Sequence, residues 1–287
     1  MHPIGNIRGL QGGPRTGCSD VSAPGGIPLR TISAAAAMIL LTIVALGTVV
    51  TVMIPVSNQE AAENALDYVG GHDCGYIWKC PNRVGIGYHE ETIILDISEE
   101  EFLDSMDRDV LRQGTMGVPA PVSLLDPADR YVRQIADHIL DATRDYSEDR
   151  RIDAALNFVQ TSIRYTCDDI MYGTDDFWAA PLETLYLHRG DCEDTTVLLC
   201  SIYLAMGYDS VILNFPGHEA VGVYWKGPDE YLFCETTYDG PKYAGYEGPE
   251  WTALAPDVHR YGDEPPLQPL ADFFATYRNL ISKVAGT

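Results

Sequence analysis

The sequence predicts an α+β domain preceded by a single transmembrane helix, and three observations carry that prediction. An uncharged apolar run lies near the N-terminus, helical periodicity occupies 126–163 and 192–206, and strand-like stretches close the pattern between Val211 and Thr236. Helices first and antiparallel strands after is an α+β order, not the alternation of a parallel α/β sheet. With 287 residues and 46% hydrophobic content the chain can bury a sizeable core.

Residues 1–30 are rich in Gly and Pro without apolar periodicity and read as a flexible cytoplasmic tail. No charge occurs from Thr31 to Ser57, and the stretch 31–55 is long enough to cross a bilayer as a helix. A cleaved signal peptide would have an apolar region of only about 7 to 15 residues. The tail carries three arginines against one aspartate (+2), whereas the rest carries 16 basic against 41 acidic residues (−25). The positive-inside tendency therefore keeps the N-terminus in the cytoplasm and places the bulk of the chain outside.

Residues 56–120 read as a juxtamembrane α/β segment: a helix over 60–69, a strand over 92–97, a helix from Glu99 to about Arg112, and a Pro-containing linker over 114–122. The main domain is 121–287. Its first helix starts near Asp126, with Pro127 in the first turn and Val132, Ile135, Ala136, Ile139 and Leu140 at helical spacing. A second helix carries Ile152, Ala155, Leu156, Val159 and Ile163 on one face. The Asp-rich loop of Asp168, Asp169, Asp175 and Asp176 has the composition of a calcium cluster but not the EF-hand spacing, and reads as solvated. Cys192 to Met206 is apolar nearly all round and stops before Gly207, as a buried central helix does. Val211–Phe215, His218–Trp225 and Tyr231–Thr236 read as strands, the last two joined by Gly227-Pro228-Asp229.

The formal charge of −23, with 42 acidic residues against 19 basic, repels phosphate backbones and argues against a nucleic-acid partner. Chemistry concentrates in Gly190-Asp-Cys-Glu-Asp194. There a cysteine opens the buried helix, Gly190 permits the turn, and Asp191 is placed to cap the exposed N–H groups. A helix N-terminus favours a thiolate, while Asp191, Glu193 and Asp194 oppose it. His218 opens a strand after Pro216-Gly217, and Glu235 lies on the next strand, so a nucleophile, a base and an orienting carboxylate are all available.

In these elements the chain resembles the transglutaminase-like superfamily of papain-like cysteine enzymes, especially its microbial membrane-associated branch. The resemblance covers 152–239: Phe158-Val-Gln-Thr-Ser-Ile-Arg-Tyr165, Pro181-Leu-Glu-Thr-Leu185, Gly190-Asp-Cys-Glu-Asp194, Gly217-His-Glu-Ala-Val-Gly-Val223 and Cys234-Glu-Thr-Thr237. It implies a central helix carrying Cys192 packed on an antiparallel sheet. It further implies Cys192 as nucleophile, His218 as general base and Glu235 as orienting acid, where many members have aspartate before Pro-Thr. The activity implied is that of a cysteine protease, amidase or acyltransferase acting on protein or peptide substrates through a thioester, with no metal or organic cofactor. Gln160, Tyr165 and Trp178 are candidates for the oxyanion or substrate site, and each can equally be a helix-face or core residue. The alternative function is a non-catalytic protein- or peptide-binding module on the same fold. A thiol-redox role has only the seven cysteines behind it and lacks a Cys-x-x-Cys motif. Cys74 and Cys80 read as a local disulfide or as unpaired thiols, and with His72 and His89 match no common zinc spacing; Cys200 and Cys234 read as core.

Overall fold

The computed structural model describes residues 43–45, 48–50, 56–71, 73–108, 110, 112, 122–227, 230–246 and 256–262. Of the predicted membrane span only six residues are among them, and they form two short paired strands, β1 (Ile43–Ala45) and β2 (Thr48–Val50), where a helix is predicted. Ile43, Val44, Thr48, Val49 and Val50 are β-branched, which favours extended backbone wherever hydrocarbon does not force the helix. The remainder of 31–55, the tail and the predicted 114–122 linker up to 121 lie outside the described residues, while Val122 opens a 3-10 turn, Val122–Leu124, with Val122 and Leu124 buried. Among the described residues no helix is long and apolar enough to cross a membrane.

Helix α1 (Asn58–Val69) begins where the Ser57 hydroxyl accepts the Glu60 N–H, and ends at Gly70, whose φ of 70° a side chain would strain. A hairpin follows, β3 (Gly75–Pro81) with β4 (Tyr88–Ile94), so the strand predicted at 92–97 lies four residues earlier and gains a partner. Alternation puts Tyr76, Trp78 and Cys80 inward and leaves Ile77 in solvent. Helix α2 (Glu99–Met106) starts in a Ser98–Glu101 capping box and stops well short of Arg112. Arg112 is instead drawn inward as one half of a buried ion pair with Glu183, 2.5 Å apart. Losing one partner of such a pair costs about 3–5 kcal/mol.

Helix α3 (Arg130–Ala142) starts later than the sequence suggests. The Asp129 carboxylate, accepting from Tyr131 and Val132, outcompetes Pro127 as the start signal. Helix α4 (Glu148–Ser162) buries the predicted stripe and also Ala154 and Phe158, because the β3–β4 hairpin packs on its other side. Two short parallel strands, β5 (Arg164–Tyr165) and β6 (Arg189–Gly190), flank a one-turn helix α5 (Asp168–Met171) and α6 (Pro181–Leu187). Helix α7 (Cys192–Ala205) is buried on every side from Glu193 to Tyr203, as its apolar pattern predicts.

The main sheet runs β10 (Asp257–Arg260), β7 (Asp209–Phe215), β8 (His218–Tyr224), β9 (Tyr231–Cys234), antiparallel throughout, and α7 packs against β7 and β8. Gly217, at φ 75°, makes the tight β7–β8 turn and sets His218 at the strand start. One apolar core includes residues of α1, β3, α2, α3, α4, α6 and α7 together with the sheet. This is a mixed α+β fold with antiparallel sheets.

Candidate active site

The start of α7 is built by close approach. A Cβ on Gly190 would stand 2.6 Å from the Asp194 Cβ, so only glycine lets the chain enter the helix here. Asp191 occupies the N-cap position, but its carboxylate makes no capping hydrogen bond, which corrects the expected role. It is buried beside Asp168, Glu193 and Asp194. Cys192 is the first helical residue. Its Sγ donates to Glu193 Oε2 at 3.0 Å and lies 3.4 Å from Glu219 Oε2. Burial, then the Glu193, Asp191 and Glu219 carboxylates, push the thiol well above its ordinary range. The helix N-terminus alone therefore does not make a thiolate. Glu219, which the sequence reading overlooked, is itself raised to about 8 by burial and by Glu193.

The other half of the site is on the sheet. Cys234 pairs with Val221, so Glu235 comes level with Ala220, on the face that His218 shares two residues along. His218 Nε2 meets Glu235 Oε2 at 2.9 Å, both side chains 2% exposed or less. Glu235 Oε1 accepts from the Thr237 N–H at 2.9 Å and its hydroxyl at 2.7 Å. The carboxylate is thus fixed from both ends, and Nε2 is committed to it. Nδ1 is then the ring nitrogen that would serve a sulfur. Cys192 reaches Glu219, the residue after His218, and α7 packs on β8, so Cys192, His218 and Glu235 lie at one end of the sheet.

Of the three auxiliary candidates, Gln160 is already engaged. Its Nε2 donates one N–H to the Glu235 carbonyl at 2.6 Å and its Oε1 accepts from the Lys242 N–H at 2.8 Å, so it braces the segment that carries Glu235. Trp178 is a core residue, its main chain bonded to Arg112. Tyr165 pairs through β5 with Gly190, and burial followed by the charges of Cys192 and Asp191 raises its hydroxyl, which stays a donor. A cavity of about 270 Å³, lined by Tyr165, Thr195, Thr236, Thr237 and Asp239 among others, opens beside it. Thr195 lies one turn beyond Cys192 and its hydroxyl meets that of Thr236 at 2.8 Å.

The Asp-rich loop is not wholly solvated. Asp168 is 1% and Asp194 0% exposed, and ligand oxygens of Asp168, Asp191 and Asp194, as of Asp168, Asp176 and Glu193, gather within 4.8 Å. Asp168 Oδ2 accepts from Phe177 N–H and Asp194 Oδ1 from Ala179 N–H. Asp168 Oδ1 and Asp194 Oδ2 are buried with no hydrogen-bond partner. Burial and mutual repulsion raise all three aspartates well above the usual carboxylate range. Such an all-oxygen cluster has the donor chemistry of a hard divalent cation, with Asp168, Asp191, Glu193 and Asp194 as the residues to hold it. Local spacing hid it because its members lie on two segments more than twenty residues apart.

The β3 strand separates the two cysteines considered for a disulfide. Cys74 precedes it and Cys80 lies near its end, and both are free. Six residues of extended chain put them about 20 Å apart, far beyond disulfide reach. Cys200 and Cys234 are buried, as their elements predict.

No protein-family model matches the chain, and no curated protein matches it. Among solved structures, Legionella pneumophila LapG is 16% identical, over 55% of this chain and 94% of LapG, with a TM-score of 0.36. Its calcium-bound form is also 16% identical, over 43% of this chain and 81% of that one, with a TM-score of 0.29. A proposed cysteine protease from Cytophaga hutchinsonii is 14% identical, over 47% of this chain and 48% of that chain, with a TM-score of 0.31. At that level of identity and superposition the likeness carries no argument about activity.

Proposed function

We propose that the chain is a membrane-anchored, cysteine-dependent amide-bond hydrolase or acyl transferase of the transglutaminase-like kind, acting on protein or peptide substrates. The observation that carries this reading is the buried His218–Glu235 pair, held at the end of the sheet against which the helix opening with Cys192 packs. A structural core has little use for an imidazole and a carboxylate with no apolar substitute, whereas a general base needs both.

In this reading the Cys192 thiolate attacks the carboxamide carbon and His218, as imidazolium, protonates the departing amine. The oxyanion takes hydrogen bonds from the Cys192 N–H and the Tyr165 hydroxyl. Water or an amine, deprotonated by His218, then attacks the thioester and releases an acid or a new amide, with Cys192 regenerated. The Thr195–Thr236 cavity holds the residue beside the scissile bond. A divalent cation at Asp168, Asp191, Glu193 and Asp194 would neutralise the charges that now oppose the thiolate.

The anchor is the uncharged 31–55 stretch, with residues 1–30 cytoplasmic and Cys192 outside. Protease added to right-side-out vesicles should digest the domain, and protection until lysis would sink the topology. The activity is tested by incubating the protein with glutamine-containing peptides and measuring its intact mass. An acyl adduct on Cys192 that hydroxylamine removes supports the reading. Turnover persisting in Cys192→Ala would end it.

A further inference from the structure

Helix α4 carries three buried polar side chains, Asp153, Asn157 and Gln160, in one stripe at i, i+4 and i+7. A buried helix face is ordinarily apolar, so such a stripe has to find hydrogen-bond partners. It finds them in the main chain after Glu235. Asp153 Oδ1 accepts the Ala244 N–H at 2.8 Å, Asn157 Nδ2 donates to the Lys242 carbonyl at 2.6 Å, and Gln160 Oε1 accepts the Lys242 N–H at 2.8 Å.

Residues 240–246 form a strap with no helix or strand, bounded by Gly240 at φ 88° and Gly245 at φ 80°. The residues that lead into it, Tyr238 and Asp239, line the 270 Å³ cavity together with Gln160. Apart from the α4 stripe, the strap is held by the Gly245 N–H on the Phe233 carbonyl at 2.7 Å and by the Tyr88 hydroxyl on the Pro241 carbonyl at 3.4 Å. Ala244 is the strap residue that packs on the main apolar core, and Tyr243 is exposed. A segment held by a few polar bonds and little apolar burial opens at lower cost than the core around it. Asn157 Oδ1 is also buried with no hydrogen-bond partner, so water would satisfy on opening an acceptor that the closed strap leaves bare.

Asp153 is the titratable member of the stripe. Burial holds its carboxyl up at about 6, against the Ala244 N–H and against Arg150, whose Nη1 is 4.0 Å away. The other ionisable groups that act on it are Asp149 on α4, Tyr88 on β4, Tyr203 on α7 and Cys234 on β9. Asp149 is lowered and the two tyrosines and the thiol are raised, so Asp153 alone among them changes charge between pH 5 and pH 8.

We propose that residues 240–246 are a pH-sensitive strap at the wall of the substrate cavity, latched by Asp153, Asn157 and Gln160 and loosened when Asp153 loses its proton. With the strap open, Asp153 meets water and returns to the ordinary carboxylate value of about 3.9. The closed form therefore binds the extra proton, is favoured in mild acid, and weakens as pH rises through about 6. Because Gln160 also bonds the Glu235 carbonyl, the latch and the candidate acid share one side chain. The strap's place at a substrate cavity rests on the cysteine-enzyme reading, whereas the latch itself does not.

The test is hydrogen exchange of the Lys242 and Ala244 amides in the full-length protein at pH 5 and pH 8, corrected for intrinsic exchange, with the α7 amides reporting whole-domain opening. Carboxyl values of about 6 closed and 3.9 open make both strap amides about tenfold less protected at pH 8 than at pH 5, and less protected than α7 at each pH. Asp153→Asn, which keeps an oxygen for the Ala244 N–H, should remove the difference between the two pH values. Asn157→Ala should lower the protection of both amides on the order of fivefold at either pH. If Asn157→Ala fails to fold, Asp153→Asn decides the matter. Equal protection at pH 5 and pH 8, a difference that survives in Asp153→Asn, or strap amides that exchange only together with those of α7 overturns the strap. None of these readouts uses turnover, so the strap and the cysteine chemistry fail separately.

Discussion

The two halves of the site are finished to different degrees. On the sheet, His218 and Glu235 are locked 2.9 Å apart, and Thr237 supplies two further bonds to the carboxylate. At the helix end, Cys192 is surrounded by Asp191, Glu193 and Glu219, which raise its thiol instead of lowering it. In the sheet half both oxygens of the Glu235 carboxylate are hydrogen-bonded. The helix half gathers buried carboxyl groups whose ionisation is opposed by burial and by one another, so in the proposed reading its competence depends on what offsets their charge when they ionise. A cysteine at a helix N-terminus is thus not activated by position alone.

The largest effect is expected at the sulfur. Cys192→Ala should abolish turnover and acyl capture without loss of fold, checked by intact mass and circular dichroism, since no thioester can form. His218→Ala should reduce kcat/KM on the order of 10²–10⁴-fold through the loss of base and acid. If that variant retained full activity, the sheet half would be structural only.

Cation dependence sharpens the contrast. Asp168, Asp191 and Asp194 have folded-state pKa values raised above their unfolded ones, so the native state binds more protons than the unfolded chain above about pH 4. Stability in the absence of divalent cations should therefore be highest in mild acid and fall as pH rises toward neutrality. Thermal scans at pH 5 and pH 8 in chelator should show the lower Tm at pH 8, and calcium should raise Tm more at pH 8 than at pH 5. Equal Tm values in chelator, or an equal calcium shift at both, would mean that the cluster is not charged as described.

Smaller effects divide the sheet half. Glu235→Gln should leave activity reduced but measurable, and less damaged than in His218→Ala, because an amide keeps part of the imidazole geometry. Gln160→Ala should cost about 1–3 kcal/mol of stability from the unpaired Glu235 carbonyl and Lys242 N–H, with a modest loss of kcat. A loss on the order of 10²–10³ in kcat with stability unchanged would instead mark Gln160 as an oxyanion donor.

The positions of the candidate site residues were legible because their signals are local: a cysteine two residues after glycine at a helix start, a histidine opening one strand and a glutamate at the end of the next. Helices α4 and α7 and the order of β7, β8 and β9 were legible for the same reason, through periodicity. The buried acid cluster was not, since Asp168 and Asp194 meet only in three dimensions, and each alone looks like an ordinary surface residue. The bonds of the Gln160 amide to Glu235 and Lys242 were not legible, because a glutamine on a helix face carries no mark of its long-range partners. The start of α3 moved because two start signals, Pro127 and Asp129, stand two residues apart and the side-chain cap won. Of the two states left open for Cys74 and Cys80, the unpaired one holds, because the intervening strand keeps them apart.

The central claim is that Cys192 and His218 act as a pair once the charge around the sulfur is offset. The direct measurement is the pH profile of Cys192 alkylation by a small haloacetamide, followed by peptide mapping, in excess calcium. A thiolate–imidazolium pair predicts a rate plateau extending into mild acid that disappears in His218→Ala. A single rise centred at or above the ordinary thiol range, identical in wild type and His218→Ala, would contradict the account.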